Sequence, residues 1–469
     1  MAISLTKQKL QEIIGGESTG ATERISFQGL EYDSREIKGG ELFVALKGET
    51  GHGEQYLDTA FGRGASMALV EDAALLTSFA EPERLLVVKD ALKAFWQLAT
   101  WWRTELALPI VAITGSVGKT TVKELVASLL LQHNEGTYSL KSHNNHVGLP
   151  YTVCRMSRNH NWGVLEMGMN HAGEISDITK IATPNVAAIT NIAPAHIQEF
   201  GSLGAIADAK FEIIEGMADG AELILNGDDQ YLRDGLKRHD PKQRLQVKYF
   251  GTDSNCDAYF SNFQSHGFKG ISFDLFLDGK HASVKMGVVG RHTALNATCA
   301  ALLVKTVFPK ITLKKIATRL AKFMAPLMRL NLKTLSEEKR IIDDSYNANP
   351  ASVAAALDVV RDFRSSGLKV GVILGDMLEL GAHAEHHHLE IGGIVADLKP
   401  EFVVAIGEFA PLLVQQCAQN GIPHFIAETP DAAAHIARKM DYNVLLVKAS
   451  RGVGLDKTVA TLLEMENSV

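Results

Sequence analysis

Residues 114–121 read TGSVGKTT. Two glycines, a lysine and paired threonines at this spacing are the parts of a phosphate cradle. A glycine-rich turn entering a helix aims backbone N–H groups at one point, where the helix dipole also favours negative charge. Lys119 can reach the outer phosphates of a nucleotide, and the Thr120 hydroxyl can ligate magnesium. The octet therefore predicts a nucleoside triphosphate site formed by Gly115, Ser116, Val117, Gly118, Lys119, Thr120 and Thr121. The turn is a shortened variant, because the first glycine of G-x-x-x-x-G-K-S/T would fall on Ile113.

Such a site needs a divalent cation, and oxygen and nitrogen ligands follow downstream. Glu166 closes the apolar run WGVL, which puts a carboxylate at a strand's carboxyl edge, where ligands of open α/β sheets bind. His196 follows another strand exit, TNIAPAH, and could hold the same or a second ion, although a lone loop histidine is more often structural. Lys210 lies on a helical stretch, AKFEI, and from spacing alone reads as a solvated lysine. The exit DDSYNANP from Asp343 carries more polar groups than a helix cap requires, and so suggests a ligand-facing loop. Arg329 could clamp a phosphate or simply be solvated at a hinge. His383, His386, His387 and His388 crowd one stretch, but no partner motif supports a metal there.

These groups must be positioned by an α/β framework. Ahead of the phosphate turn runs PIVAI, a buried-strand pattern, and behind it VKELVASLL, a helical one. Residues 1–85 read as a small α/β unit with strands at Glu41 to Leu46 and Met67 to Val70 and a loop from Gly48 to Gln55. Residues 86–324 alternate strands and helices, which predicts a doubly wound, mainly parallel, P-loop-type sheet. Short alternating strands between Val247 and Val289 predict an antiparallel extension of it. Residues 325–469 form a C-terminal Rossmann-like α/β domain, but no G-x-G-x-x-G follows its strands, so a nicotinamide or flavin site is unsupported.

Composition narrows the class. A chain of 469 residues, 46% hydrophobic and 22% charged, has ample core for two to four domains. A net charge of −7 with dispersed basic residues argues against nucleic acid as a partner. Four scattered cysteines without a C-x-x-C pair suggest neither zinc cluster nor disulfide framework and suit a reducing cytoplasm. The opening MAISLTKQKLQEIIGG lacks a signal-peptide stretch, and no run approaches a membrane span.

Taken together, DSR at Asp33, GELFVALKG at Gly40, TGSVGKTT, NNHVGLP at Asn144, EMGMNHAGEI at Glu166, TNIAPAH at Thr190 and AKFEI at Ala209 resemble the Mur ligases of peptidoglycan synthesis. The resemblance continues through GRHTALNA at Gly290, PLMRLN at Pro326, DDSYNANP, GDMLELG at Gly375 and KASRG at Lys448. SYNANP and GDMLELG look like the member that adds D-alanyl-D-alanine to UDP-N-acetylmuramoyl-tripeptide. The resemblance implies a uridine-nucleotide domain, a central ATPase domain and a dipeptide domain, working with ATP and Mg2+; a monomer is expected. It implies that a carboxylate is phosphorylated by ATP and the acyl phosphate is then attacked by the dipeptide amine.

Residue by residue, Lys119 and Thr120 match the family's phosphate and magnesium groups, and Glu166 and His196 match its other metal ligands. Lys210 matches a lysine that the family carbamylates, which reverses the reading of it as solvated. Lys119, His196 and Lys210 are thereby the implied catalytic set. Asn296, Arg329 and Asp344 match ATP contacts. Ser34, Arg35, Asn144 and Asn145 match positions around the uridine nucleotide, and Tyr346, Asn347 and Asn349 lie where the dipeptide is expected. Ala449 stands where the family usually has glycine in K-G-S-R, and the loop from Gly48 departs from the usual aspartate-glycine-histidine order. A folylpolyglutamate synthetase, an earlier wall ligase and a plain P-loop ATPase remain open at this point.

Overall fold

The structure is a computed structural model and describes residues 3–20, 25–48, 51–131, 135–140, 142–241 and 244–467. Of the predicted loop Gly48 to Gln55, Glu49 and Thr50 lie outside the described residues.

Apolar runs too short for helices and bounded by turn residues become parallel strands buried on both faces. At the N-terminus, strands Leu30–Glu31, Leu42–Val44, Met67–Val70 and Leu85–Val87 form a four-stranded parallel sheet, and Ser4–Thr6 pairs antiparallel with Ser26–Gln28. Helix Ala91–Leu106 follows, capped by Asp90, whose side chain accepts the Lys93 N–H. It buries Phe95, Leu98, Ala99 and Trp102 in the core shared with the central unit.

Among the described residues the central sheet has nine strands. Its parallel part runs, side by side, Thr137–Tyr138, Gly163–Glu166, Ile110–Thr114, Val186–Ile189, Glu222–Asn226 and Gln246–Gly251. The predicted extension continues it: Ala258–Ser265 pairs parallel with Gln246–Gly251 and antiparallel with Ile271–Leu277, which pairs with Lys280–Met286. Ile110–Thr114 lies between two strands that the chain visits in opposite directions, Gly163–Glu166 on one side and Val186–Ile189 on the other. The switch point, where open α/β sheets bind ligands, thus lies at the phosphate turn. Helix Lys119–Leu131 leaves that turn and buries Val122, Leu125, Val126, Leu129 and Leu130, the i, i+3, i+4, i+7, i+8 stripe of a packed helix face.

The C-terminal sheet runs Asn331–Thr334, Arg340–Asp343, Val444–Lys448, Val370–Gly375, Phe402–Ile406 and His424–Ala427, parallel except for its antiparallel first strand. Its loops 344–349, 376–380 and 449–452 leave the carboxyl ends of neighbouring strands. Among the described residues no helix is long and apolar enough to cross a membrane.

Candidate active site

A cavity of about 560 Å³ opens between the phosphate turn and those C-terminal loops, lined from Ser116 to Gly452. Lys119, Thr120, Thr121, Asn144, Asn145, Glu166, His196, Lys210, Asn296, Arg329, Asp344, Tyr346, Asn347 and Asn349 all line it. Residues far apart in the chain therefore converge, as the triphosphate reading requires.

The turn is fixed by hydrogen bonds. Ser116 N–H donates to the Asn191 carbonyl at 2.9 Å, and Val117 N–H donates to Asn191 Oδ1 at 2.9 Å. Those two N–H groups are thus occupied by the loop after Val186–Ile189, although both residues line the cavity. The donors left for an anion lie at Gly118 and the helix start, where the first N–H groups have no partner one turn back. Gly115 does not line the cavity; its carbonyl accepts Lys119 Nζ at 2.5 Å, with the Ser116 carbonyl at 3.3 Å. Burial pushes the Lys119 amine below its ordinary range, with Glu166 opposing and Arg329 adding to the shift.

Glu166 is only 2% exposed. Its Oε1 accepts from Asn144 Nδ2 at 2.9 Å, while Oε2 has no hydrogen-bond partner among the described residues and lies 3.7 Å from Lys123 Nζ. Lys123, fully buried, also donates to the Ser139 carbonyl at 2.7 Å. A buried carboxylate oxygen without a hydrogen bond is costly unless a cation completes it. With the Thr120 hydroxyl and the His196 ring in the same cavity, the donor set suits a hard divalent ion. Asn144 here orients Glu166, and Asn145 Oδ1 accepts from Gly148 N–H at 2.9 Å where helix Gly148–Cys154 begins.

Lys210 is 3% exposed, in the last turn of helix Leu203–Phe211. Among the described residues no hydrogen bond or ion pair holds its amine. Burial drives its pKa well down, the charge of Lys119 lowers it further, and Glu212 opposes both. The solvated reading from spacing is therefore wrong: the helix turns this side chain inward. His196 sits at φ +57, and its Nδ1 meets Glu379 Oε2 at 2.7 Å, which holds that carboxyl below the usual carboxylate range.

On the opposite wall, the Arg329 guanidinium lies 4.2 Å from the Tyr346 ring centre, and the Tyr346 hydroxyl bonds Ser142 Oγ. Asp344 pairs with buried Lys448 at 2.6 Å and accepts from Leu330 N–H at 3.1 Å. Lys448 donates to the Asn347 carbonyl at 2.8 Å. Asn349 caps helix Pro350–Ser365 in a capping box with Ser352, so its Oδ1 is committed to the backbone.

Ser34 and Arg35 do not reach the cavity. They lie on the turn Ser34–Glu36, with Ser34 buried and Arg35 forked onto Asp33 at 2.9 and 2.7 Å. In the histidine stretch, His386, His387 and Glu390 bring donor atoms within 4.8 Å of one another, with His387 Nδ1 on Glu390 at 3.1 Å. His388 is fully buried; its Nε2 accepts from Met377 N–H at 2.9 Å and its Nδ1 meets the Ala384 carbonyl at 2.7 Å. Lys123, Ser142 and Asn191 were not singled out from sequence. Of these only Lys123 carried a signal, as a lysine among the apolar positions of the helix after the phosphate turn.

The Mur ligase middle domain matches residues 113–304, the Mur ligase glutamate ligase domain residues 328–451, and the Mur ligase family catalytic domain residues 26–99. The UDP-N-acetylmuramoyl-tripeptide–D-alanyl-D-alanine ligase of Escherichia coli strain K12 is 33% identical over 98% of this chain and 99% of its own length. The enzyme of the same name from Bacillus subtilis strain 168 is 31% identical over 98% and 99%. A crystal structure of MurF from Acinetobacter baumannii superposes with a TM-score of 0.88, at 27% identity over 99% of both chains. With its phosphate turn at the switch point and full-length relatives above 30% identity, the chain belongs to the Mur ligase family, in the branch of the UDP-N-acetylmuramoyl-tripeptide–D-alanyl-D-alanine ligases.

Proposed function

We propose that the cavity carries out ATP-dependent amide-bond formation between UDP-N-acetylmuramoyl-tripeptide and D-alanyl-D-alanine, a step of peptidoglycan precursor synthesis in the cytoplasm. The observation that carries this reading is the convergence in one cavity of a phosphate-binding helix start, a buried Glu166 oxygen with no hydrogen-bond partner among the described residues and a buried lysine whose pKa burial lowers. A protein that only bound nucleotide would have no use for so many cation-holding groups.

In this reading the tripeptide's terminal carboxylate attacks the γ-phosphorus of ATP and ADP leaves. The dipeptide amine then attacks the acyl carbon, phosphate departs and the amide is formed. An anion attacking an anion is slow unless positive charge surrounds the transferring group. Lys119 and the start of helix Lys119–Leu131 supply it from one side, and Arg329 from the other. Thr120, Glu166 and His196 would hold Mg2+, which when bound neutralises charge on the transferring phosphate. Burial lowers the Lys210 pKa, which favours its free amine; addition of CO2 to that amine, forming the N–C bond and releasing one proton to solvent, would give a carbamate anion able to hold a second Mg2+.

Asn296 and Asp344 border the nucleotide, and Tyr346 and Asn347 the incoming dipeptide. Residues 1–85, with Ser34 and Arg35, form the uridine-nucleotide unit, residues 86–324 the ATP unit and residues 325–469 the dipeptide unit of a monomer. Since Ser34 and Arg35 stand outside the cavity, the uridine end binds away from the reacting atoms and the tripeptide spans the distance.

The test is phosphate release with ATP, Mg2+, the nucleotide tripeptide and the dipeptide, omitting each in turn and weighing the product. Release that requires both organic substrates, with a product heavier by one dipeptide minus water, is expected. Lys119→Ala should abolish it while the fold is retained; normal product from that variant would refute the site assignment.

A further inference from the structure

The Glu379 carboxylate reaches from the C-terminal unit to His196 Nδ1 in the central unit at 2.7 Å. The loop that presents it is held residue by residue. The Asp376 carboxylate accepts from Glu408 N–H at 2.8 Å and Phe409 N–H at 3.1 Å, and its carbonyl accepts from Ser450 N–H at 3.0 Å. Met377 N–H donates to buried His388, and Leu378 N–H donates to Ser450 Oγ at 2.9 Å. Glu379 stands at the tip of this framework at φ +65, a backbone conformation that side-chain-bearing residues rarely adopt. Two residues on, Gly381 passes so close to Gln198 that a Cβ there would meet its Cγ at 2.8 Å. The two units therefore touch at adjacent points, 379 on 196 and 381 on 198.

A carboxylate can only accept, so His196 Nδ1 is the donor of this contact and Nε2 is the ring nitrogen left to face a cation. Metal-binding histidines characteristically give their other N–H to a carboxylate, which fixes tautomer and ring orientation. We propose that Glu379 is a positioning residue that orients His196 toward the divalent cation across the domain boundary, so that the cation site is complete only when the C-terminal unit is docked. This rests on the reading of His196 as a cation ligand. Glu379 touches the cation only through His196, and its loss therefore acts on cation affinity rather than on the nucleotide cradle.

The experiment titrates Mn2+ into the full chain with the non-hydrolysable ATP analogue AMPPNP present, follows free Mn2+ by electron paramagnetic resonance, and compares wild type with Glu379→Ala, Glu379→Gln and His196→Ala. Glu379→Ala is expected to weaken Mn2+ binding about 10-fold or more, as loss of an outer-shell partner typically does. Glu379→Gln retains an acceptor for the Nδ1 proton and is expected to recover at least half of that loss on a logarithmic scale. Binding of AMPPNP without Mn2+ stays at the wild-type value in both. Wild-type Mn2+ affinity in Glu379→Ala, alongside a loss in His196→Ala, overturns the positioning role while leaving the ligand reading intact. Wild-type affinity in His196→Ala overturns both. A Glu379→Gln variant as weak as Glu379→Ala assigns the effect to charge and overturns positioning.

Discussion

Gly115→Ala separates a turn held by sterics from one that merely contains glycine. Gly115 sits at φ +142, and a Cβ built there lies 1.9 Å from Thr190 Oγ1 and 3.0 Å from both Thr190 Cβ and N. Thr190 cannot step aside, because its hydroxyl donates to the Val117 carbonyl at 2.6 Å, its N–H to the Thr114 carbonyl at 2.9 Å, and its carbonyl accepts from Asn226. A left-handed backbone costs a side-chain-bearing residue about 1–2 kcal/mol. Forcing a methyl into a packed site adds about 1–3 kcal/mol. Together the substitution destabilises the central unit by roughly 2–5 kcal/mol, a fall in its calorimetric midpoint on the order of 5–15 °C. Gly118→Ala is the matched comparison: at φ +88, its Cβ comes under 3 Å only to Asn296 Oδ1, at 2.8 Å, the tip of a side chain that can rotate. Its cost should stay near the backbone term of about 1–2 kcal/mol. The methyl nonetheless stands where the backbone approaches phosphate, and KM for ATP is expected to rise about tenfold, equivalent to about 1.4 kcal/mol of binding. A Gly115→Ala protein melting within about 2 °C of wild type would refute the clash argument.

Asn349→Ala removes the capping box and should destabilise the C-terminal unit by about 1 kcal/mol. Asn349→Asp keeps the cap, so an unchanged midpoint with a raised KM for dipeptide identifies a substrate contact, and unchanged kinetics would leave Asn349 a cap alone. Arg329→Lys loses both the ring contact with Tyr346 and the planar fork suited to phosphate, and kcat/KM for ATP is expected to fall about 10- to 100-fold; equal activity would remove Arg329 from the site. Burial holds the His388 pKa below its ordinary value. Below about pH 6.5 the unfolded chain therefore binds a proton that the folded chain refuses, and stability present above that pH is lost as pH falls toward the depressed folded value. The midpoint of wild type should drop more steeply between pH 7 and 5.5 than that of His388→Gln, and parallel slopes would contradict this.

The strands were legible because a parallel sheet covered on both faces is written as short, continuous apolar runs. The run IVAIT is buried at every position, and so is VGVILG. Edge strands were not legible in the same way. Asn331–Thr334 and His424–Ala427 close the two sides of the C-terminal sheet and are half-exposed or exposed over most of their length. Asn331–Thr334 has a single apolar residue and His424–Ala427 only the short run FIA, so pairing with an already formed neighbour makes them strands, and that information lies in the fold rather than in the segment.

The site divides along the same line. Lys119 and Thr120 could be read locally because a turn entering a helix aims its own backbone. Glu166 could be read because a strand ends on it. Lys210 could not, since neighbours in the chain do not disclose whether a helix turns a lysine to solvent or into a cavity. Burial decided that, and only the full resemblance anticipated it. His196 is the sharpest case. From sequence it is a candidate cation ligand at a strand exit, and what orients it is Glu379, 2.7 Å away and in another unit of the chain. The histidine stretch, which no partner motif marks as a metal site, shows a role that spacing does not disclose: His388 uses both ring nitrogens to hold the backbone from which Glu379 projects. Single-segment reading therefore finds groups whose chemistry is aimed by their own backbone. It fails for groups that the docking of two domains aims, and the Glu379–His196 contact belongs to the second kind.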